Sequence, residues 1–403
     1  MTQFDPTALL VSRSQATDEG PIIRMSQRAR ELRAKGVDVV SLTLGEPDFD
    51  TPENIQSAAV AAMKAGLTHY APVMGIPELR AALSKKLKAE NGLDYGPNDI
   101  CVANGAKQAI ANAVLSLIEA GDEVIMLAPF WVSYEITVRF AGGTPVVLTA
   151  GVEENYKVPV SRIAAAITPR TKLIMLNSPS NPTGAVWTRA ELEQLAAVVK
   201  SHPHLMVLSD EIYEYILFGG EMVSIGSLPG MKERTITVNG FSKGFAMTGW
   251  RLGYAAAPEP IAKAMSRMQS AISAGANSFV QRAAIAALEG PRDDVEHMRQ
   301  RYQKRRDMVL SGLRAIDGVR IGDIPATFYA FPDVSALLGR KAGNHVIDST
   351  EALCDWILDE HAIATVPGSA FGSAGSIRLS FACSEADIEK AIARMQKAFA
   401  SLT

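Results

Sequence analysis

The alternation of apolar and polar positions changes character along the chain. Short apolar runs occupy residues 99–103, 123–128, 144–148, 172–176, 205–209, 235–238 and 252–257. Helical patterns lie between most of them, including 107–120 and 188–200, and the second opens with a capping box of Thr188 and Glu191. Continuous apolar strands that alternate with helices predict an α/β fold, with a mostly parallel sheet covered by helices on both faces. Such sheets bind ligands beyond the carboxyl ends of their strands.

The residues on either side of this region predict a second, smaller α+β domain. Helices are expected at 22–35, about 291–316 and 350–360, strands at 38–44, 328–331 and 377–381, and a last helix is capped by Ser384. Two more helices are expected at 53–65 and 77–91, before the sheet pattern and within the larger domain. The long charged helix at 291–316 could bridge two domains. Because the sheet pattern starts only near Asp99, the first residues can join the second domain. The sequence therefore predicts a large domain over 46–290, and a small domain of 1–45 and 291–403 with an N-terminal arm.

Size and composition narrow the class of protein. A chain of 403 residues, 47% apolar and 21% charged, suits a two-domain globular enzyme. A net charge of −3 gives no electrostatic basis for binding nucleic acid or an anionic membrane. No signal-peptide pattern is evident, and no apolar run approaches the roughly 18 residues of a membrane span. The cysteines (101, 354 and 383) are too scattered for a metal site or a disulfide framework, which favours a cytoplasmic location.

Candidate chemistry follows the ends of the predicted strands. The segment 104–107, Asn-Gly-Ala-Lys, opens a helix whose N–H groups and dipole suit a phosphate, although an ordinary helix start explains it equally well. Trp131 could stack on a planar cofactor or fill the core. The segment 178–184 reads Ser-Pro-Ser-Asn-Pro-Thr-Gly, a rigid turn that can fix Asn181 through a cis bond to Pro182.

Three charged residues extend this pattern. Asp210 ends a buried strand and needs a partner, for which a pyridinium nitrogen or a helix N-terminus is suitable. Lys243 follows the next strand among small and apolar residues, where burial lowers an amine pKa and permits Schiff-base chemistry. Arg251, eight positions later, can hold a phosphate. A lone lysine in such a loop is usually a surface residue, but the ordered set of groups indicates pyridoxal phosphate.

This ordered set resembles the class I pyridoxal-phosphate aminotransferases of fold type I, and most of all the aspartate aminotransferases, from about Pro21 to the C-terminus. The motifs that carry the resemblance are Leu-Gly-Glu-Pro-Asp-Phe at 44–49, the turn at 178–184, Asp-Glu-Ile-Tyr at 210–213, Ser-Lys at 242–243 with Gly-Trp-Arg-Leu-Gly at 249–253, and Ile-Arg-Leu-Ser at 377–380. It implies a seven-stranded mostly parallel sheet with a smaller α+β domain, and a homodimer with shared active sites.

The resemblance also implies roles for individual residues. Lys243 would form a Schiff base with the cofactor and carry the proton, Asp210 would pair with the pyridine nitrogen, and Tyr213 with Asn181 would bond the phenolic oxygen. The implied cofactor-binding set is Ala106, Lys107, Trp131, Asn181, Asp210, Tyr213, Ser242, Lys243, Arg251 and, from the partner subunit, its Tyr70. The implied substrate-binding set is Gly45, Trp131, Asn181, Arg378 and Lys107, in which Gly45 and Arg378 hold the substrate carboxylate.

Two departures from one subgroup of the aspartate enzymes bear on the substrate. Gly240 stands where that subgroup has a phosphate-binding serine, so Ser242 is expected to substitute. The loop 273–277 lacks the arginine that recognises the distal carboxylate there, and Lys107, with Arg13 or Arg24, is expected to take that role.

The implied reaction is transfer of the amino group of L-aspartate to 2-oxoglutarate by a ping-pong route. The sequence leaves open a transaminase for aromatic or varied amino acids, a lyase that uses the same cofactor, and a non-catalytic binding module.

Overall fold

The structure is a computed structural model that describes residues 5–11 and 20–403. Its α-helices are α1 (Pro21–Ala34), α2 (Glu53–Lys64), α3 (Pro77–Asn91), α4 (Ala106–Leu117), α5 (Ser133–Phe140), α6 (Val160–Ala165), α7 (Arg189–Lys200), α8 (Glu259–Ile272), α9 (Ser278–Glu289), α10 (Asp293–Arg314), α11 (Thr350–His361) and α12 (Glu385–Ala400). Its strands are β1 (Val40–Ser41), β2 (Ile100–Ala103), β3 (Glu123–Ala128), β4 (Thr144–Thr149), β5 (Thr171–Asn177), β6 (Met206–Asp210), β7 (Thr235–Gly240), β8 (Gly253–Ala256), β9 (Tyr329–Ala330), β10 (Lys341–Ala342), β11 (His345–Val346), β12 (Ile363–Ala364), β13 (Val366–Pro367) and β14 (Ile377–Ser380).

The seven predicted apolar runs form one sheet. Its strand order is β2-β8-β7-β6-β5-β3-β4. Strand β8 runs antiparallel to both of its neighbours, and every other pair in this sheet is parallel. The predicted mostly parallel sheet is therefore confirmed, and the observed ends of the strands differ from the predicted ones by no more than two residues.

Both faces of this sheet are buried, as continuous apolar strands require. Along β5, Leu173 and Met175 join the core under α4 and α5, whereas Ile174 and Leu176 join the core under α7. This alternation follows from the two-residue period of a strand, which sends successive side chains to opposite faces. Helices therefore cover the sheet on both sides, and its polar groups concentrate at the ends of the strands.

The smaller unit is built from segments far apart in sequence. Strand β1 pairs in parallel with β12, and β13, β14 and β9 form an antiparallel sheet. The predicted strand 38–44 shortens to two residues, although the Leu42 amide and carbonyl still bond Ala364 and Ser380. Pairing of residues 40–41 with the C-terminal region supports a division between 1–45 with 291–403 and 46–290, which we propose as the domain boundary.

Several helices were not located by the sequence patterns. Helices α5, α6, α8 and α9 lie in stretches whose periodicity we did not assign. Helices α8 and α9 follow Pro258 but belong with the large sheet, because Met265 on α8 lies in its core and α9 packs on α2 and α3. In the parts of the chain that the structure describes, no helix combines the length and apolar character needed to cross a membrane.

Candidate active site

A cavity of about 320 Å³ opens at the carboxyl ends of β5, β6 and β7 and at the start of α4. Its volume lies in the range of small-molecule sites. The lining residues are Leu44, Gly45, Glu46, Ala106, Lys107, Trp131, Tyr134, Asn177, Asn181, Asp210, Ile212, Tyr213, Ser242, Lys243, Thr248 and Arg251. This is the position that the sheet topology predicts for a ligand.

Asp210, the last residue of β6, presents a buried carboxylate to the cavity. The Tyr134 hydroxyl donates to its Oδ2 at 2.7 Å, and the Ile212 amide donates to its Oδ1 at 3.3 Å. The Asn177 side chain holds the Asp210 backbone carbonyl at 2.9 Å. Burial raises the pKa of Asp210 to about 6, and the bond from Tyr134 opposes that rise. The carboxylate is therefore mostly ionised at neutral pH, which suits a cationic ligand atom.

Lys243 follows β7, and its side chain lines the same cavity as Asp210. Its Nζ donates to the Gly45 carbonyl at 2.6 Å and lies 6.0 Å from the ring centres of Tyr213 and Phe328. Burial, together with the positive charge of Arg378, lowers the pKa of Lys243 to about 8. A lysine with this pKa supplies a neutral amine near physiological pH, as Schiff-base chemistry requires.

The start of α4 and Arg251 form a cradle for an anion. Gly105 has a φ of +83°, and a Cβ there would lie 2.6 Å from Nη2 of Arg251. A Cβ on Gly253 would lie 2.4 Å from the Ala106 amide nitrogen. Glycine at both places lets the guanidinium and the helix N-terminus approach each other. The first amides of α4, at Ala106 and Lys107, have no intrahelical acceptor, so they and Arg251 suit a phosphate.

Arg378, on β14, is a buried cation whose hydrogen-bond partners are neutral. Its Nη1 donates to Oδ1 of Asn181 at 3.1 Å and its Nη2 to the Thr43 carbonyl at 2.6 Å. The guanidinium carbon lies 4.6 Å and 4.8 Å from the ring centres of Tyr329 and Phe371, and its Nε has no partner among the described residues. A buried charge without a counter-ion is costly, so this side chain is suited to an anionic ligand.

Lys107 is a further cation at the cavity wall. Its Nζ lies 5.3 Å from the centre of the Trp131 ring. Burial lowers the pKa of Lys107, and the neighbouring Arg251 contributes to the same shift. The Lys107 amine can therefore bind an anionic group of a ligand in the cavity.

The structure brings most of the predicted site residues together. Those that line the cavity are Gly45, Ala106, Lys107, Trp131, Asn181, Asp210, Tyr213, Ser242, Lys243 and Arg251. Arg378 lies behind Asn181.

Tyr70 is 97% exposed and lines a different cavity with residues 273–279. The predicted cis bond before Pro182 is present. Arg24 pairs with Asp355 at 3.1 Å and does not line the cavity, and Arg13 lies outside the described residues.

Sequence reasoning missed three residues that shape the site. Tyr134 donates to Asp210, and Asn177 holds the backbone of Asp210, as described above. The Tyr329 hydroxyl lies 3.0 Å from that of Tyr213, and it would be 1.9 Å from a Cβ on Gly45. The signal for such partners was only general, since a buried carboxylate needs donors but the sequence does not name them.

Gly240, which departed from one subgroup, has a packing reason. A Cβ there would lie 2.9 Å from the Cα of Gly253, its paired residue on β8. The close approach of β7 and β8 therefore favours glycine at this position. Ser242 is buried and lines the cavity, so it can supply the hydroxyl that Gly240 lacks.

A lysine amine with a lowered pKa, a buried carboxylate and an anion cradle on one α/β sheet define an enzyme site for amine and carbonyl chemistry. The chain matches the family model for aminotransferase class I and II over residues 37–395, and it belongs to that family. It is 44% identical over 384 residues to the aspartate/prephenate aminotransferase of Cereibacter sphaeroides, covering 94% of this chain and 96% of that protein.

Two solved structures show the same fold. The aspartate aminotransferase of Rhizobium meliloti superposes with a TM-score of 0.95 at 39% identity, covering 99% of this chain and 100% of that one. The aspartate aminotransferase of Thermus thermophilus, solved with maleate, has a TM-score of 0.91 at 42% identity, covering 96% of this chain and 99% of that one. The predicted fold type is thereby confirmed.

Proposed function

We propose that this protein is a pyridoxal-phosphate-dependent aspartate aminotransferase. It transfers the amino group of L-aspartate to 2-oxoglutarate in two half-reactions of a ping-pong mechanism, with oxaloacetate and L-glutamate as products. The observation that carries the proposal is the Lys243 amine, whose pKa is lowered to about 8, in one cavity with Asp210 and the Arg251 cradle. Relatives named aspartate aminotransferase support the substrate.

The residues present fit this cofactor at both of its polar ends. The cradle of Arg251 and the first amides of α4 would hold the phosphate, with Ser242 beside them. The carboxylate of Asp210 would hold a proton on the ring nitrogen. Trp131 would cover one face of the ring. When bound, pyridoxal phosphate supplies an aldehyde and an electron-withdrawing ring that stabilises negative charge at the substrate α-carbon.

The side chains around the reacting atoms then have separate tasks. Lys243 takes and returns the proton at the substrate α-carbon, for which a pKa of about 8 is well matched to neutral pH. Tyr213 and Asn181 would donate to the phenolic oxygen of the cofactor, which favours the ionised form of that oxygen. The bond between Tyr213 and Tyr329 orients that hydroxyl. Because Asp210 and Tyr213 are buried, water has limited access to this part of the cavity.

Two cationic residues would recognise a dicarboxylate. Arg378 and the backbone at Gly45 would take the α-carboxylate, because a guanidinium fork matches a carboxylate and this one has no internal counter-ion. Lys107, beside Trp131, would take the distal carboxylate. The Thermus neighbour was solved with maleate, which is itself a dicarboxylate. Prephenate is a second candidate substrate, because several relatives are named aspartate/prephenate aminotransferases and Trp131 offers an apolar surface.

A homodimer would complete the site. The fully exposed Tyr70 is apart from the cavity of its own chain, and the family resemblance assigns it to the phosphate of the partner's cofactor. A cytoplasmic location stays a prediction from the sequence.

Spectrophotometric half-reactions with aspartate, glutamate, tyrosine and phenylalanine test the function. Aspartate is expected to change the absorbance of the bound cofactor, and Lys243→Ala is expected to abolish turnover. Lys107→Ala should raise KM for aspartate about 10-fold and leave KM for phenylalanine unchanged, with Lys85→Ala on the exposed face of α3 as the matched control. Unchanged absorbance with aspartate would refute this substrate. Release of ammonia and an oxo acid without a second substrate would identify a lyase instead.

A further inference from the structure

The loop 45–52 lies between β1 and α2 and carries the groups that face Lys243. Gly45 and Glu46 line the cavity, and the Gly45 carbonyl accepts from Nζ of Lys243. The end of the loop is fixed to the large domain, since the Thr51 hydroxyl donates to the Ala246 carbonyl at 2.6 Å. The position of this loop therefore sets the geometry at the reacting lysine.

The middle of the same loop is held by an ion pair to a distant helix. Nη1 and Nη2 of Arg305, on α10, donate to the two carboxylate oxygens of Asp48 at 2.7 Å and 2.8 Å. The Arg305 side chain is 5% exposed, and that of Asp48 is 29% exposed. The guanidinium carbon of Arg305 lies 5.2 Å from the ring centre of Phe49 and 5.6 Å from that of Tyr302. This bidentate, ring-flanked geometry fixes both distance and angle.

Asp48 is the carboxylate that is hydrogen-bonded to Arg305 in the described part of the chain, and Glu385 acts on Arg305 through its charge. Nε of Arg305 has no hydrogen-bond partner there, so Asp48 takes the bonds that the guanidinium makes. Removal of the carboxylate would leave a buried cation, and the loop would shift or the arginine would move toward solvent. Either change would move Gly45.

Both carboxylate-binding elements of the proposed site depend on this segment. Arg378 is held through the Thr43 carbonyl, two residues before Gly45. A clash with the Tyr329 hydroxyl limits how far Gly45 can move in one direction, since even a Cβ there would be 1.9 Å from that oxygen. The segment 43–48 therefore connects the Arg305 pair directly to the place where the substrate α-carboxylate would bind.

We propose that Arg305 and Asp48 are positioning residues that align Gly45 and Arg378 for the α-carboxylate of both the amino acid and the oxo acid substrate. The inference rests on the proposed function, because it concerns the same cavity. It adds a pair of residues that do not line the cavity. Their effect passes through the backbone of the loop 45–52 and is the same for both half-reactions.

The test compares Asp48→Asn and Arg305→Lys with the wild-type holoenzyme. Lysine keeps the charge but cannot form the two parallel bonds. We expect each variant to raise KM for the amino acid and for the oxo acid about 10-fold or more, with a smaller change in kcat, since a displacement of about 1 Å in a positioned group can cost about 100-fold. The dissociation constant of maleate, measured by calorimetry, should rise by the same factor. The double variant should be little worse than either single one.

Arg314→Gln is the matched control. Arg314 also lies on α10 and forms an ion pair, to Asp323 at 2.6 Å, at the exposed end of the helix. It should leave both KM values unchanged. A fall in the denaturation midpoint of Asp48→Asn and Arg305→Lys with no change in KM or in maleate affinity would overturn the proposal, because the pair would then be merely structural. Equal effects of Arg314→Gln would overturn it as well.

Two further measurements cover a variant that does not fold and a wild-type protein that does not use aspartate. If Asp48→Asn does not fold, Asp48→Glu keeps both charges and displaces the bonded oxygens, and it should raise KM in the same way. If the wild-type protein does not transaminate aspartate, the proposed substrate fails. The inference is then tested by the affinity for maleate in wild type and in Arg305→Lys, and equal affinities would overturn it.

Discussion

Replacement of Tyr134 by phenylalanine removes one donor from the carboxylate that would hold the cofactor ring. The Tyr134 hydroxyl donates to Asp210 at 2.7 Å, and both side chains are buried. Hydrogen bonds to charged groups contribute about 1.5–3 kcal/mol. Because 1.36 kcal/mol corresponds to one pH unit, the loss is expected to raise the pKa of Asp210 from about 6 by roughly one to two pH units.

Cofactor binding to the apo protein gives the direct assay. Pairing with the ring nitrogen requires the ionised carboxylate, so affinity for pyridoxal phosphate should fall as the pH drops below the pKa of Asp210. In Tyr134→Phe this fall should begin roughly one to two pH units higher than in wild type. The cofactor phosphate titrates identically in both proteins, so the difference between them isolates Asp210. Tyr95→Phe is the matched control, because its buried hydroxyl donates to the Lys232 and Thr235 carbonyls.

The stability of the apo protein gives an independent readout with a defined sign. The folded-state pKa of Asp210, about 6, is above its ordinary value of 3.8, so the folded chain holds this proton more tightly than the unfolded chain. The contribution of Asp210 to the free energy of unfolding is fully present below about pH 3.8 and is lost as the pH rises through about 6. In Tyr134→Phe the loss should continue to higher pH in urea unfolding. Identical pH profiles in the variant and the wild type, in both assays, would refute the role of Tyr134.

Three other changes test separate parts of the molecule. The amine of Lys243 in the apo protein should react with a small aldehyde with an apparent pKa near 8, and Arg378→Leu should raise that pKa because it removes a neighbouring positive charge; an unchanged profile would contradict this account. Gly45→Ala should raise KM for the amino acid at least about 10-fold, since its Cβ would meet the Tyr329 hydroxyl at 1.9 Å. Tyr329→Phe should partly rescue it, and absence of rescue would argue against the steric cause. Thr188→Ala should lower the free energy of unfolding by about 1 kcal/mol through loss of the capping box on α7, with no change in KM, and an equal stability in both proteins would contradict that cap.

Local signals in the sequence located much of the fold. The helix Pro77–Asn91 was predicted with the correct ends, because proline is favoured in the first turn and Gly92 adopts the left-handed conformation, with a φ of 66°, that ends it. The seven apolar runs were recognisable because strands covered on both faces carry few polar residues. Helices α8 and α9, which a turn at Ala274 and Gly275 separates, were missed although few of their residues are charged and α9 is rich in alanine, which favours a helix.

The sequence by itself also determined where the chemistry lies. Asp210, Lys243 and the start of α4 could be grouped because the ends of neighbouring strands in one sheet meet at one edge. It could not determine which side chains support them. Tyr134 reaches Asp210 across 76 positions, and Arg305 reaches Asp48 across 257. Such contacts depend on how helices and loops pack around the sheet, and no local pattern encodes that packing. Only the tertiary structure therefore decided what holds the site in place.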